Sequence, residues 1–207
     1  MKKIIVAPEI SKKFEFNLQD LLLENGRLIE LNFVVNQAAK IDITLIGIGE
    51  LNLDVILNLD LVGFDAQISV KGAFLLNQAS KIRFNVLQNH FTPNAQSRVL
   101  IKTVLLDQAQ FNYDGMITIA EHASGTIANQ LNQNIVLSPE VTVISVPKIE
   151  VLNSDVQCGH GSAIGGLDQG QMIYLMSRGL NRDQATNLLV QSFLGIDLSD
   201  RDMLAFK

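Results

Sequence analysis

The stretch IDITLIGIGELNLDVILNLDL, residues 41–61, decides the fold class. Apolar residues occupy every second position through most of it, and Asn, Asp or Thr fill many of the positions between them. A period of two places successive side chains on opposite faces of an extended chain, which is typical of β-strands with one buried face. This stretch therefore predicts consecutive strands of a mainly β protein.

The same alternation extends from about residue 26 to residue 158. Short turn signals separate further strand-like runs, and these runs are 66–76, 80–88, 97–106, 109–119 and 141–152. The segment NQAAKIDI at 36–43 recurs as NQASKIRF at 77–84. Repeated strand-and-turn units favour the stacked coils of a β-solenoid. An antiparallel sandwich would alternate in the same way, so periodicity alone leaves both architectures open.

Two helices are predicted after Gly166. Asp168 is the expected N-cap of the first, with Gln171 at its N3 position, and Asn181 and Gln184 have the same roles in the second. A further short helical piece is expected from residue 199. The second helix has an apolar stripe at helical spacing, formed by Ala185, Leu188, Leu189 and Phe193.

Composition excludes several classes of protein. The 207 residues are 47% apolar and 18% charged, with a net charge of −5 and one cysteine. A single cysteine cannot form an internal disulfide, and no basic cluster indicates a nucleic-acid surface. No apolar run approaches the length of a membrane span or of a signal-peptide core. We expect a cytoplasmic protein with no nucleic-acid or membrane partner.

The cysteine, Cys158, lies two residues before His160. On a strand these two side chains share a face, so a thiolate and an imidazole could bind the same iron or zinc ion. The alternative is a buried cysteine beside a capping histidine. The glycine-rich segment 159–166 lacks phosphate-loop spacing and is interpreted as the turn from the β region into the helices.

Other conspicuous side chains are given structural roles. His90 and His122 lie beside turn residues, which predicts surface histidines. Tyr174, Met172 and Met176 are interpreted as ordinary helix packing. No P-loop, nucleophile elbow or zinc-protease motif is present, and we expect no enzymatic activity.

Residues 146–194 resemble the C-terminal signature of the SufB/SufD family of the SUF iron–sulfur cluster assembly machinery. The matching elements are PKIEV at 147–151, DVQCGHG at 155–161 and SRGL at 177–180. A weaker likeness covers 113–138. The C-x-H motif resembles the SufD branch, and near Asn132, where the SufB branch has a further cysteine, this chain has none.

The resemblance implies a right-handed parallel β-helix with a small C-terminal helical region. The expected organisation is an N-terminal segment of uncertain structure at 1–25, a β-helix core at 26–165 and a helical region at 166–207. It also implies a scaffold that works with a SufC-like ABC ATPase and a second SufB/SufD-like chain, in a homodimer or a heterodimer. Compared with typical members the chain is expected to be a short form.

The resemblance further implies that Cys158 and His160 help to hold a transient iron–sulfur cluster, shared between two subunits. Cys158 would be a thiolate ligand or sulfur acceptor, and His160 a neutral ligand or the base that lowers the pKa of the thiol. The stripe of the second helix would bind the ATPase, or else pack on the chain's own β-helix and cover its open end. A purely structural dimerisation and ATPase-docking module without a cluster is the alternative.

Overall fold

The structure, a computed structural model, describes residues 2–196, which form twelve strands and three helices. The strands are β1 (Lys2–Val6), β2 (Ser11–Asn17), β3 (Leu28–Val35), β4 (Lys40–Gly49), β5 (Asn52–Leu61), β6 (Gln67–Leu76), β7 (Lys81–His90), β8 (Gln96–Leu105), β9 (Gln110–Ile119), β10 (Thr126–Val136), β11 (Thr142–Val151) and β12 (Val156–Gly165). The helices are α1 (Leu18–Asn25), α2 (Gln169–Ser177) and α3 (Arg182–Leu194).

The strands form two parallel six-stranded sheets. The first sheet has the order β1-β3-β5-β7-β9-β11 and the second β12-β10-β8-β6-β4-β2. Because successive strands alternate between the sheets, each pair of strands makes one coil, and six coils stack into a β-solenoid. Every pairing is parallel, which excludes the antiparallel sandwich and confirms the solenoid.

Alternation along each strand builds the core between the sheets. The stretch 41–61 divides into β4 and β5, which lie in opposite sheets and turn the same parity inward. Ile41 and Leu57 are completely buried, whereas the intervening polar residues face outward. Aromatic rings continue the stacking in the middle coils, where Phe84 lies 6.2 Å from Tyr113 between ring centroids.

The repeated segment, at 36–43 and 77–84, marks the starts of two strands and does not mark the repeat of a coil. It leads into β4 and β7, which lie in different sheets, and in both copies its fourth residue, Ala39 or Ser80, is buried. In register, Asn52 pairs with Lys81 and Lys81 with Gln110, so a coil that begins at Asn52 is complete just before Lys81. One full coil leads from β4 to β6 and a further half coil to β7, so the two copies of the segment do not stack on each other.

The N-terminal segment, whose structure was uncertain from the sequence, belongs to the same architecture. β1 and β2 are the first strands of the two sheets. α1 begins at the N-cap Asn17, whose side chain accepts a hydrogen bond from the Gln19 backbone, and it buries Leu18 and Leu21. The helical piece expected from residue 199 lies outside the described residues.

The two C-terminal helices begin as predicted. The Asp168 carboxylate accepts a hydrogen bond from the Gln171 backbone N–H, and Asn181 and Gln184 form a complete capping box. α3 ends at Gly195, in the left-handed conformation with φ of 70°. α3 packs on the outer face of the second sheet, where its buried residues meet a separate apolar cluster: Ala73, Leu75, Val104, Leu106, Val190 and Leu194.

Candidate functional site at the open end of the solenoid

Cys158 and His160 lie on β12, the last strand of the second sheet. Cys158 is in register with Ala128 and His160 with Gln130, two residues whose side chains are buried between the sheets. Register partners in a parallel sheet point to the same side, so both side chains of the pair face the solenoid interior. Both side chains are exposed, because β12 is the last strand of its sheet and no further coil follows it within residues 2–196.

The glycine-rich segment is not the turn that the sequence analysis expected. Residues 156–165 are all in β12, so Gly159, Gly161 and Gly165 are strand residues, and helix α2 begins only at Gln169. The three positions differ in how much room they leave: a Cβ at Gly165 would have no atom within 4 Å, whereas one at Gly161 would lie 2.9 Å from Leu131 Cδ1.

The pair alone does not make up a metal site. Two rises along a strand separate the Cα atoms of Cys158 and His160 by about 6.6 Å, a spacing from which both side chains can reach one ion. Among residues 2–196, no group of three or more His, Cys, Asp or Glu side chains is placed to hold a metal. The donors suit iron and zinc, but any remaining ligands must come from outside this set.

The interior changes character beside this site. The first coils are filled with apolar side chains, whereas the later coils bury polar side chains as well as apolar ones. The buried polar side chains of these coils are Gln88, His90, Ser97, Thr103, Thr126, Gln130, Asn132 and Asn134. Asn132, the position compared with a SufB cysteine, faces inward in register with Ser162 and so lies one strand away from the candidate site.

His90 is not a surface histidine, contrary to the sequence-based expectation. It is 1% exposed at the end of β7, and burial lowers its pKa from the usual 6.5 to about 4. Its position was readable, since His90 and Gln88 keep the parity of the inward residues Ile82, Phe84 and Val86. A turn-like neighbourhood (NHFTPN) obscured that signal. His122 is exposed, as expected.

A directed chain of hydrogen bonds, here termed the interior relay, joins these side chains. The Thr118 carbonyl can only accept, so neutral His90 donates from Nδ1 (3.2 Å) and accepts at Nε2 from the Ser97 hydroxyl (2.9 Å). Ser97 Oγ in turn accepts from the amide nitrogen of Gln88 (2.6 Å), and Gln88 Oε1 accepts from Gln130 Nε2 (2.7 Å). Because the Thr118 carbonyl can only accept, donor and acceptor are fixed in every following bond of the chain. The Gln130 amide therefore donates through Nε2, and its oxygen, Oε1, is the end that the chain leaves unused.

The stripe of α3 is divided between the chain's own core and its surface. Ala185 is fully buried and Phe193 packs against the apolar cluster on the second sheet, so both are used internally. Leu189 lines a groove of about 510 Å³ between α3 and β12, and Leu188 is 42% exposed. α3 covers the side of the solenoid and not its open end.

Helix α2 presents an apolar surface that was not anticipated. Met172 is buried as expected, but Tyr174 and Met176 are 57% and 43% exposed, and Ile173 is 67% exposed. Helix packing therefore accounts for only one of the three residues that were assigned to it. We use the term tail patch for the exposed apolar side chains of the two C-terminal helices: Ile173, Tyr174, Met176 and Leu188.

The two ends of the solenoid differ in edge chemistry. At the N-terminal end β2 reads SKKFEFN, with two lysines that disfavour pairing with another edge. At the other end β11 contains Pro147, a residue compatible only with edge positions, whereas β12 reads VQCGHGSAIG, with no Lys, Arg, Asp, Glu or Pro. The edge that carries Cys158 and His160 is therefore the one left open to pairing.

Sequence comparison identifies the family of this chain. Residues 17–193 match the sequence profile described as the SUF system FeS cluster assembly, SufBD core domain. The chain belongs to this family. The matched region takes in strands β3 to β12, the Cys158–His160 pair and α2, so the family covers the candidate site as well as most of the fold.

Individual SufBD relatives are similar over parts of the chain. The iron–sulfur cluster assembly protein SufD of Escherichia coli is 34% identical over 97 residues, which are 47% of this chain and 23% of that protein. SufBD family proteins of Synechocystis and Mycobacterium leprae are each 33% identical, over 57% and 64% of this chain and 26% and 36% of their own lengths. The matched segments thus span between about a quarter and a third of these relatives.

Across residues 2–196, no helix combines the length and the hydropathy needed to cross a membrane.

Proposed function

We propose that this SufBD chain is a scaffold subunit of a cytoplasmic SUF-type complex, without enzymatic activity of its own. It would hold or help to form an iron–sulfur cluster at an interface between two SufB/SufD-like chains and bind a SufC-like ABC ATPase. The observation that carries the proposal is the position of Cys158 and His160 on β12, which alone among the four edge strands of residues 2–196 contains no Lys, Arg, Asp, Glu or Pro.

The incomplete ligand set and the open edge support each other. A pairing of two chains through β12 would bring two Cys158 and two His160 side chains to one junction and supply four ligands. The same pairing would satisfy the unpaired backbone groups of β12 by adding a strand to its sheet. The cluster is cargo in this proposal, so its ligands need to be reachable, which the exposure of both side chains allows.

Anaerobic reconstitution tests the cluster-binding part. The protein is incubated with ferrous iron and sulfide, and iron, sulfide, visible absorbance and mass are measured. We expect the wild-type dimer to bind iron and sulfide, and Cys158→Ser and His160→Ala each to lose most of that binding while remaining dimeric. His122→Ala is the matched control, because His122 is an exposed histidine in the turn between β9 and β10 and not on the strand that carries the pair. Iron binding that persists in Cys158→Ser would contradict the proposal.

The tail patch is the surface best suited to the ATPase. Exposed Ile173 and Tyr174 on one helix provide the aromatic and aliphatic anchors that protein interfaces use, and Arg178 lies 5.1 Å from the Tyr174 ring. Of the α3 stripe predicted for this role, Leu188 is the exposed member and Leu189 lines the adjacent groove, whereas Ala185 is buried and Phe193 packs on the chain's own cluster. Docking there leaves the open end of the solenoid free for the second chain.

Binding to a purified SufC-like ATPase tests this surface. Ile173→Asp should weaken the affinity at least tenfold by placing a charge in a desolvated interface, whereas Leu23→Asp should leave it unchanged. Leu23 is a suitable control because it is an 86% exposed leucine on α1, at the other end of the chain. Equal affinities for the two variants would remove the tail patch from the proposal.

A structural module that dimerises and docks the ATPase without a cluster is the second candidate. The absence of a third ligand among residues 2–196 favours it. The reconstitution experiment separates the two, because the structural module would stay colourless as a dimer, and Cys158→Ser would then alter nothing but stability.

A further inference from the structure

The interior relay ends on a buried acceptor without a partner. Gln130 is 2% exposed, its Nε2 donates to Gln88, and within residues 2–196 its Oε1 has no hydrogen-bond partner. A buried carbonyl left unpaired costs about 1–3 kcal/mol, so an orphan acceptor at a fixed place calls for an explanation.

The surroundings hold this acceptor in place. Gln130 crosses the interior over Gly115, where a Cβ would overlap its side chain, so the glycine makes room for the amide. The next residues along the stack are Pro147, in register with Gly115, and His160, in register with Gln130. Pro147 has no N–H to donate and an apolar ring. Of these two residues, His160 is the one that carries a side-chain N–H.

We propose that Gln130 is a positioning residue for His160: its Oε1 accepts a hydrogen bond from one ring N–H and leaves the other ring nitrogen, with its lone pair, directed at the junction. Metal-binding histidines commonly donate their second ring N–H to an oxygen acceptor, which fixes the tautomer and the orientation of the ring. The interior relay orients Gln130 Oε1. The direction of the first hydrogen bond, from His90 to the Thr118 carbonyl, fixes the direction of each later bond up to the one that Gln130 Nε2 donates. The purpose of this arrangement rests on the function proposed above, but the hydrogen bond itself does not.

Nitrogen-15 NMR of the histidine rings tests the hydrogen bond in the iron-free protein. The full chain is labelled at histidine and studied at pH 8, where an unpaired imidazole is neutral, and His160→Ala assigns the signals. We expect a ring N–H proton of His160 that exchanges slowly enough with water to be observed. Gln130→Met fills similar space without an acceptor and should remove that resonance, whereas Gln130→Glu retains an oxygen there and should keep it.

Two further samples keep the test independent of folding. Gln130→Asn preserves an amide but shortens the side chain by one methylene, so it should lose the resonance even if Gln130→Met fails to fold. The ring N–H of His90 reports whether the interior remains folded in each variant. A wild-type protein without a protected His160 N–H, or a folded Gln130→Met or Gln130→Asn variant that retains one, would overturn the inference.

The outcome is separable from cluster assembly. If the resonance behaves as expected but the wild type binds no iron in the reconstitution experiment, the proposed function fails and the positioning role stands. If iron binds with no protected N–H in the iron-free protein, the positioning role fails alone. With both upheld, Gln130→Met should also reduce iron retention several-fold while leaving Cys158 reactive.

Discussion

At the scale of single residues, the most consequential side chain outside β12 is His90. It is buried among hydrogen-bond partners that require the neutral ring, since Nε2 has to accept from Ser97. Protonation of His90 would place a positive charge in the interior. It would also turn Nε2 from an acceptor into a donor, so the hydrogen bond from the Ser97 hydroxyl would be lost. The histidine thus couples the stability of the middle coils to pH.

Acidification should destabilise the protein through His90. Its pKa is about 4 in the folded chain and 6.5 in the unfolded chain, so the unfolded state binds more protons as pH falls from 6.5 towards 4. Between pH 7 and pH 5 this should cost about 2 kcal/mol. Urea unfolding at the two pH values measures it: His90→Gln should lose less stability than wild type by that amount, and His122→Gln should match wild type. Equal losses in wild type and His90→Gln would contradict the assignment.

A single methyl group at Gly115 should disturb the same region. The Cβ of Gly115→Ala would overlap the Gln130 side chain, which is held at its other end by Gln88 and cannot move freely. Overpacking of this kind costs about 1–3 kcal/mol. Gly165→Ala is the control, because its Cβ meets nothing within 4 Å and should change the free energy of unfolding by less than about 0.5 kcal/mol. If the two variants unfold at the same urea concentration, Gln130 does not fill the space over Gly115.

At the scale of elements, α3 is fastened to the solenoid by Lys102. Its ammonium donates to the Phe193 carbonyl at 2.6 Å and lies 5.1 Å from the centre of the Phe193 ring, at the helix end where a cation is favourable. Lys102→Met should therefore accelerate amide exchange across residues 182–194 about tenfold, while the β-strand amides stay protected. Lys71→Met removes an exposed lysine from the same outer face and should leave the helix unaffected. Unchanged exchange in Lys102→Met would assign the helix anchoring to Val190 and Leu194 alone.

The elements themselves were largely predictable, and the exceptions have local causes. Alternation in 41–61 predicted strands because one parity is buried, and capping residues such as Asp168 and Asn181 predicted where the helices begin. Glycines 159–165 misled because glycine is often found in turns, whereas here the pairing of β12 with β10 keeps these glycines in a strand. His90 misled because the residues after it are typical of a turn. The alternation of inward and outward residues nevertheless extends to His90, the last residue of β7.

At the scale of the whole molecule, the stacking of coils could not be predicted from periodicity. The sequence of a strand shows whether its odd or its even residues are buried, but not which strand lies beside it. For the same reason the repeated segment did not reveal the length of a coil. The site depends on that stacking: Gln130 and His160 lie on different strands, β10 and β12, and meet only because these strands are in register. The pairing of Cys158 with His160 was visible earlier, since two residues of one strand need no tertiary information.

The two ends of the solenoid differ in edge chemistry, and this difference leads to a prediction about how two chains associate. If two SufBD chains associate through β12, a charge facing inward at that edge should block them, because it would be buried in the junction without a partner. Ser162→Lys introduces that charge, and Ser11→Lys adds a lysine to the opposite edge strand, β2, which already carries two. Both serines are exposed, so neither change should alter folding. Light scattering after size-exclusion chromatography should find wild type and Ser11→Lys as dimers and Ser162→Lys as a monomer. A Ser162→Lys dimer would place the subunit interface elsewhere, and the four-ligand junction of Cys158 and His160 would then have to be abandoned.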